Sequence, residues 1–187
     1  MSRVVNLRQA ELGDAVYVGR ANPRRSLAGS IFANPYRVDV DGTRAEVIQK
    51  YLSWLLGRQE LLLRLPELRG RRLACWCSPA PCHADVLVEL VDADEVLDDL
   101  AAAGVAVEAV DGRLRLSPPS AVDLALKARV AASKPAILLL LATRPDAGTL
   151  WRQAVELVAE SLKLPPDVLE AAKAARVRWV PASLKDQ

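Results

Sequence analysis

The stretch Leu73-Ala74-Cys75-Trp76-Cys77-Ser78-Pro79-Ala80-Pro81-Cys82-His83-Ala84-Asp85 decides how the rest of the chain is read. Its first five residues form an apolar run of the length of a central strand, bounded upstream by Arg69-Gly70-Arg71-Arg72. Ser78-Pro79-Ala80-Pro81 breaks that run, because proline has no amide donor and restricts the residue before it. From Cys82 to Val91 the apolar residues resume at helical spacing. The stretch therefore predicts a strand, a loop and a helix start, the kind of junction at which open α/β sheets bind ligands. It also gathers all three cysteines and the only histidine of the 187 residues.

Three chemistries fit this cluster. On a strand Cys75 and Cys77 share a face, while Cys82 and His83 open a helix whose N–H groups favour anions and thiolates. Cys75, Cys77, Cys82 and His83 supply the three thiolates and one imidazole of a tetrahedral zinc site, although two adjacent helical residues diverge by about 100°. Alternatively, Cys82 is a catalytic thiolate, His83 its proton carrier and Asp85 the orienting carboxylate. The plainest alternative makes the cysteines small core residues and His83 a local hydrogen-bonding group. A cytidine-deaminase zinc site is set aside, since it needs H-x-E and P-C-x-x-C whereas His83 is followed by Ala84-Asp85.

Outward from the cluster, residues 3–8 and 15–19 read as buried strands and 21–43 as a long loop dense in turn signals, including Asn34-Pro35. Thr43 with Glu46 has capping-box spacing and starts a helix to about Leu56, its apolar face carrying Val47, Ile48, Tyr51, Leu52, Leu55 and Leu56. Arg20, Arg24, Arg25, Arg37 and Arg44 crowd this region, as a phosphate pocket would require; Arg69, Arg71 and Arg72 read as a solvated rim. Neither a P-loop nor a G-x-G-x-x-G fingerprint occurs.

Past Asp92 the composition becomes rich in Ala, Leu and Asp, which places a domain boundary at 91–93. Asp94 to Ala103 reads as a helix, Asp111-Gly112 as a hairpin turn, Ser120 as the cap of a second helix with Asp123, and Ser133 as the start of a third through Ala142. Helices are expected over 147–162 and 165–175, with an extended end at 176–181. Residues 1–91 carry 13 Lys or Arg against 9 Asp or Glu, a mild basic bias, while 92–142 carry 5 against 8. The longest apolar run, Ala136 to Ala142, is far below the roughly 20 residues of a membrane span. The first residues show no signal-peptide core, so a cytoplasmic protein with reduced thiols is expected.

Residues 4–90 resemble domain of unknown function 4326, a family found largely in phages and bacteria. The resemblance is carried by Val4-Val5-Asn6-Leu7-Arg8, Val18-Gly19-Arg20, Asn34-Pro35, Arg44 with Glu46, Tyr51, Pro66-Glu67-Leu68-Arg69-Gly70 and the Cys-Trp-Cys and Pro-Cys-His segments. The family pattern usually has Gly after the Cys-His pair, where this chain has Ala84. Residues 94–142 resemble the N-terminal docking domain of the tubulysin synthetase subunit TubC, through Gly104-Val105, Asp111-Gly112-Arg113-Leu114, Ser117-Pro118 and Ala131 to Leu141. That resemblance implies a helix–hairpin–helix–helix module that dimerises and accepts a partner's peptide tail beside its hairpin.

The expectation is thus an α/β chain of three parts: a small Rossmann-like domain over 1–91, a docking module over 92–142 and a helical extension over 143–187. A nucleotide or other phosphorylated ligand would be held by Arg20, Asn34, Arg44 and Tyr51, above a floor of Cys75, Cys77, Cys82, His83 and Asp85. Expected partners are a second copy of the chain, a protein tail and possible nucleic acid, with zinc a possible cofactor and no membrane. The competing expectation is a non-enzymatic adaptor or replication accessory protein with a structural zinc or a packed cluster.

Overall fold

Three short strands, Val4–Asn6 (β1), Val16–Tyr17 (β2) and Leu73–Cys75 (β3), pair in parallel with β3 in the centre. Val4 and Val16 both lie opposite Leu73, and Val5 and Tyr17 opposite Ala74, so strand alternation sorts the side chains onto two faces. Val4, Val16, Leu73 and Cys75 meet a helical layer; Val5, Tyr17, Ala74 and Trp76 meet Leu7, Leu12, Ala15 and Leu27 on the other side. The computed structural model describes residues 3–143, and among them no helix covers that second face. The mixed α/β character expected from sequence is present. The expected longer strands persist as pairing beyond the regular ladder: the Leu7 amide donates to the Cys75 carbonyl at 2.9 Å, and Val18 to Ala74 at 3.1 Å.

The crossover from β2 to β3 contains helix α1, Arg44–Leu56. Its capping box forms as the spacing predicts: the Thr43 hydroxyl accepts from the Glu46 amide at 3.4 Å, and the Glu46 carboxylate accepts from the Thr43 amide at 2.7 Å. Val47, Tyr51 and Leu55 are its buried stripe. The leucine-rich segment becomes a short helix α2, Gln59–Leu62, and a 3₁₀ turn, Leu65–Leu68, burying Leu61, Leu62, Leu65 and Leu68. These leucines fill the same core as α1 and β3.

Helix α3, His83–Ala102, runs unbroken through the expected boundary at 91–93. Nothing in Val91-Asp92-Ala93-Asp94 stops a helix, and Leu87, Leu90, Val91, Ala93, Val96 and Leu100 keep its apolar face continuous. The acidic shift that suggested a boundary is explained by pairing: Asp92 bonds Arg3, and the buried Asp94 bonds Arg69, which also reaches Asp98 at 2.7 Å. Arg69 is therefore an ion-pairing residue of the core's edge and not part of a solvated rim. Residues 1–143 cluster as one compact unit.

Ala106–Val110 (β4) and Arg113–Ser117 (β5) form the expected antiparallel hairpin, with Asp111 at φ 49° and Gly112 at φ 68°. Two successive left-handed residues are what a tight type I′ turn needs, and glycine adopts that region without a Cβ penalty. The two helices expected after it are one, α4, Leu124–Thr143. Its cap is Asp123, whose carboxylate accepts from the Leu126 amide at 2.7 Å; Ser120 sits instead in the preceding 3₁₀ turn, Pro119–Ala121. Pro135 lies inside α4 and removes one backbone donor there, yet Val130, Ala136, Ile137 and Leu140 are buried on both sides of it and hold the helix in the core shared with α3. Among the described residues no helix is long and apolar enough to cross a membrane. The helices and extended end expected beyond residue 143, with Trp151 and Trp179, lie outside the described residues.

Candidate functional site: a cleft at the strand ends

A cleft of about 250 Å³ opens where β2 and β3 end and α3 begins. Its walls come from Tyr17 to Asn22, from Asn34, Tyr36 and Val38, from Arg44, Val47 and Ile48 of α1, and from the Cys75 to Cys77 and Pro81 to His83 segments. Arg20 and Arg44 therefore share one cavity with the cysteine cluster. Arg24, Arg25 and Arg37 do not line it; Arg25 instead lies over the Trp76 ring at 5.6 Å.

Each wall is fixed by local hydrogen bonds. The Trp76 Nε1–H donates to the Tyr17 hydroxyl at 2.9 Å, and that hydroxyl donates to the Arg20 carbonyl at 2.5 Å, tying the strand-end aromatics to the arginine loop. A Cβ on Gly19 would sit 2.5 Å from the Tyr17 hydroxyl, so any larger residue here must displace the Tyr17 ring. Asn34 lines the cleft, but its carboxamide is engaged: it accepts from the Tyr36 amide at 2.8 Å and donates to the Val47 carbonyl at 3.3 Å. It positions the loop on α1. Arg44 is half-buried and donates to the Pro81 carbonyl at 3.3 Å, while Arg20 is exposed on the rim.

Tyr51 does not reach the cleft. It is fully buried, its hydroxyl donates to the Phe32 carbonyl at 2.8 Å, and its ring meets His83 edge-on with centroids 5.3 Å apart. Burial, with Cys82 nearby, pushes its phenol well above the ordinary value. It is a core residue supporting the site from below.

The expected arrangement of Cys82, His83 and Asp85 does not assemble. Asp85 accepts from the Cys82 amide at 2.8 Å as the reciprocal half of a capping box, while the Cys82 sulfur accepts from the Ala84 amide at 3.3 Å. The helix N-terminus is thus satisfied from within. His83 takes its partner from the residue after β2, its Nε2 lying 2.8 Å from the Val18 carbonyl, so that nitrogen carries the proton. Burial lowers the His83 pKa below its ordinary 6.5, against the Val18 hydrogen bond, and the ring is neutral. Ala84 is fully buried and lines no part of the cleft.

The three thiols do converge, though with a different division of labour. Cys75 and Cys82 are 1% and 3% exposed, with sulfurs 3.2 Å apart, whereas Cys77 is half-buried. Hydrogen bonding from Cys75, then Cys82, holds the Cys77 thiol well below its ordinary value; burial opposes this and Arg44 assists. The same contacts raise Cys82. Of the three, Cys77 is the thiol these contacts favour as thiolate. Among the described residues no group of three or more His, Cys, Asp or Glu is arranged to hold a metal ion. His83 Nε2 donates to the Val18 carbonyl, which leaves Nδ1 as the one imidazole nitrogen with a free lone pair.

Trp76, Tyr17, Tyr36 and Asn22 also line the cleft. Trp76 was available to sequence reading only as the residue out of phase with Cys75 and Cys77, which places it on the opposite side of the strand.

Among proteins of known sequence, the uncharacterized 12.4 kDa protein in the nrdA-td intergenic region of Enterobacteria phage T4 is 50% identical over 28 residues. That alignment covers 15% of this chain and 26% of the T4 protein, so the chain spans about a quarter of that relative's length. No solved structure matches the chain. Residues 5–93, which include the whole cleft from Tyr17 to His83, match the model of the family described as a domain of unknown function, DUF4326.

Proposed function

We propose that the cleft binds a nucleotide or another small phosphorylated ligand. The observation that carries this reading is the placement of two guanidinium groups, Arg20 and Arg44, in one cleft at the carboxyl ends of parallel strands, beside Tyr17, Tyr36 and Trp76. Guanidinium forks match phosphate oxygens, aromatic rings supply apolar faces for a base, and such strand ends are where open α/β sheets hold ligands. Arg44 is already anchored on Pro81 and needs little reordering to meet an anion. Calorimetric titration of the full chain with AMP and ADP is expected to give binding that Arg20→Ala and Arg44→Ala each weaken about ten- to hundredfold, the scale of a lost charge-assisted hydrogen bond. Unchanged affinity in both variants would overturn the assignment.

The segment from α3 to α4 is proposed as a docking module that pairs with a second copy of the chain and receives a partner's tail. The supporting observation is the order helix, hairpin, helix, with β4 and β5 pairing only with each other among the described residues and so offering edges for strand addition. Light scattering at micromolar concentration is expected to give the mass of two chains; a single-chain mass would contradict the pairing. In an adaptor reading, favoured by the burial of Cys75, Cys82 and His83, this module carries the function and the cluster is packing.

A further inference from the structure

We propose that Cys77 is an oxidation site: a hydroperoxide entering the cleft oxidises its sulfur, and Cys82 resolves the product into an intramolecular disulfide. The inference does not depend on which ligand the cleft holds. It rests on how exposure is distributed among the three cysteines of one cluster. All three line the cleft, but Cys77 is half-buried whereas Cys75 and Cys82 are buried. Arg44 stands beside Cys77, and a neighbouring guanidinium is the environment that makes a thiol nucleophilic. Cys77 and Cys82 line the same cleft, and the Cys82 sulfur lies 3.2 Å from that of Cys75. Cys82 arrives from across the Ser78 to Pro81 loop, which lets it approach Cys77 from another element. Cys75 is two residues before Cys77 in the same segment, and its sulfur already accepts from the Cys77 amide at 3.4 Å. Cys82 is thus the better placed resolving group.

The chemistry balances with a hydroperoxide as the only oxidant. The Cys77 thiolate attacks one peroxide oxygen, the O–O bond breaks, and the departing oxygen takes a proton to leave as water or an alcohol. Cys77 is oxidised by two electrons to the sulfenic acid, and the peroxide is reduced by the same two. The Cys82 sulfur then attacks the Cys77 sulfur; the S–S bond forms, the S–O bond breaks, and the hydroxyl leaves as water with the Cys82 proton. A dithiol reductant reverses the disulfide.

The test treats the reduced full chain with hydrogen peroxide in the presence and absence of dimedone, followed by peptide mass mapping. The wild type is expected to lose about 2 Da, with one disulfide linking Cys77 to Cys82. Cys82→Ser is expected to accumulate a dimedone adduct on Cys77. Cys77→Ser and Cys77→Ala, checked for folding by circular dichroism, are expected to consume peroxide about tenfold more slowly or worse, because the thiolate is the reacting form. Since Cys77 is half-buried, these two variants keep the test valid even where Cys82→Ser fails to fold. Wild-type rates in the Cys77 variants, a first adduct on Cys75 or Cys82, a Cys75–Cys82 disulfide in the wild type, or a bound metal shielding the thiols would each overturn the proposal.

Discussion

The hydrogen bond from His83 Nε2 to the Val18 carbonyl determines what the only histidine can do. It fixes Nε2 as the donor and leaves Nδ1 as the only nitrogen able to accept, and burial keeps the ring neutral. Because the folded pKa is depressed below 6.5, the unfolded chain binds the extra proton first. The stability from the neutral ring is therefore complete above about pH 6.5 and is lost as the pH falls below that value. Urea midpoints are expected to fall between about pH 7.5 and pH 5.5 in the wild type, and His83→Gln is expected to flatten the part of the slope due to this site. A wild-type midpoint that rises on acidification, or an unchanged slope in the variant, would contradict the assignment. The cluster's membership was legible in the sequence, since strand alternation puts Cys75 and Cys77 on one face and the loop returns Cys82 to it. The roles within it were not. Which thiol is accessible depends on α3 burying Cys82, and which group Asp85 meets depends on the capping box, whose reciprocal bond the spacing permits with a cysteine as readily as with a serine.

Among the elements, signals confined to a few neighbouring residues were readable in advance, and signals that depend on distant partners were not. Thr43 with Glu46 and Asp111-Gly112 each determine their own backbone, so the helix start and the hairpin turn follow from them directly. The continuity of α3 could not be read that way. Its acidic residues at 92 and 94 suggest a new domain until Arg3 and Arg69 arrive from the N-terminal part to pair with them. The same limit applies to α4, where Ser120 and Ser133 looked like caps but tertiary packing favours one helix capped by Asp123. The Arg69 pairing gives a direct check. Asp94 is 1% exposed, and taking away the guanidinium of a buried pair costs about 3 kcal/mol or more. Arg69→Met is expected to destabilise the chain on that scale in chemical denaturation, and Arg69→Met with Asp94→Leu to recover much of the loss. A single variant within about 0.5 kcal/mol of wild type, the range of ordinary surface substitutions, would contradict the account.

For the whole molecule, the basic bias of residues 1–91 and the acidic bias of 92–142 meet in two ways. Part of the positive charge is spent internally, on Asp92, Asp94 and Asp98 of α3. What remains at the opposite end of the sheet, Arg20 and Arg44, faces the cleft with its aromatic walls. That division separates a structural set of arginines from a candidate binding set, and the sequence alone shows only their sum. The most direct test of the central claim is a titration of the isotope-labelled full chain with AMP, followed by amide NMR shifts. The account predicts saturable shifts concentrated at Tyr17 to Asn22, Asn34 to Val38, Arg44 to Ile48 and Cys75 to His83, and absent from the hairpin. No saturable shift at millimolar AMP, or shifts centred on β4, β5 and α4, would contradict it.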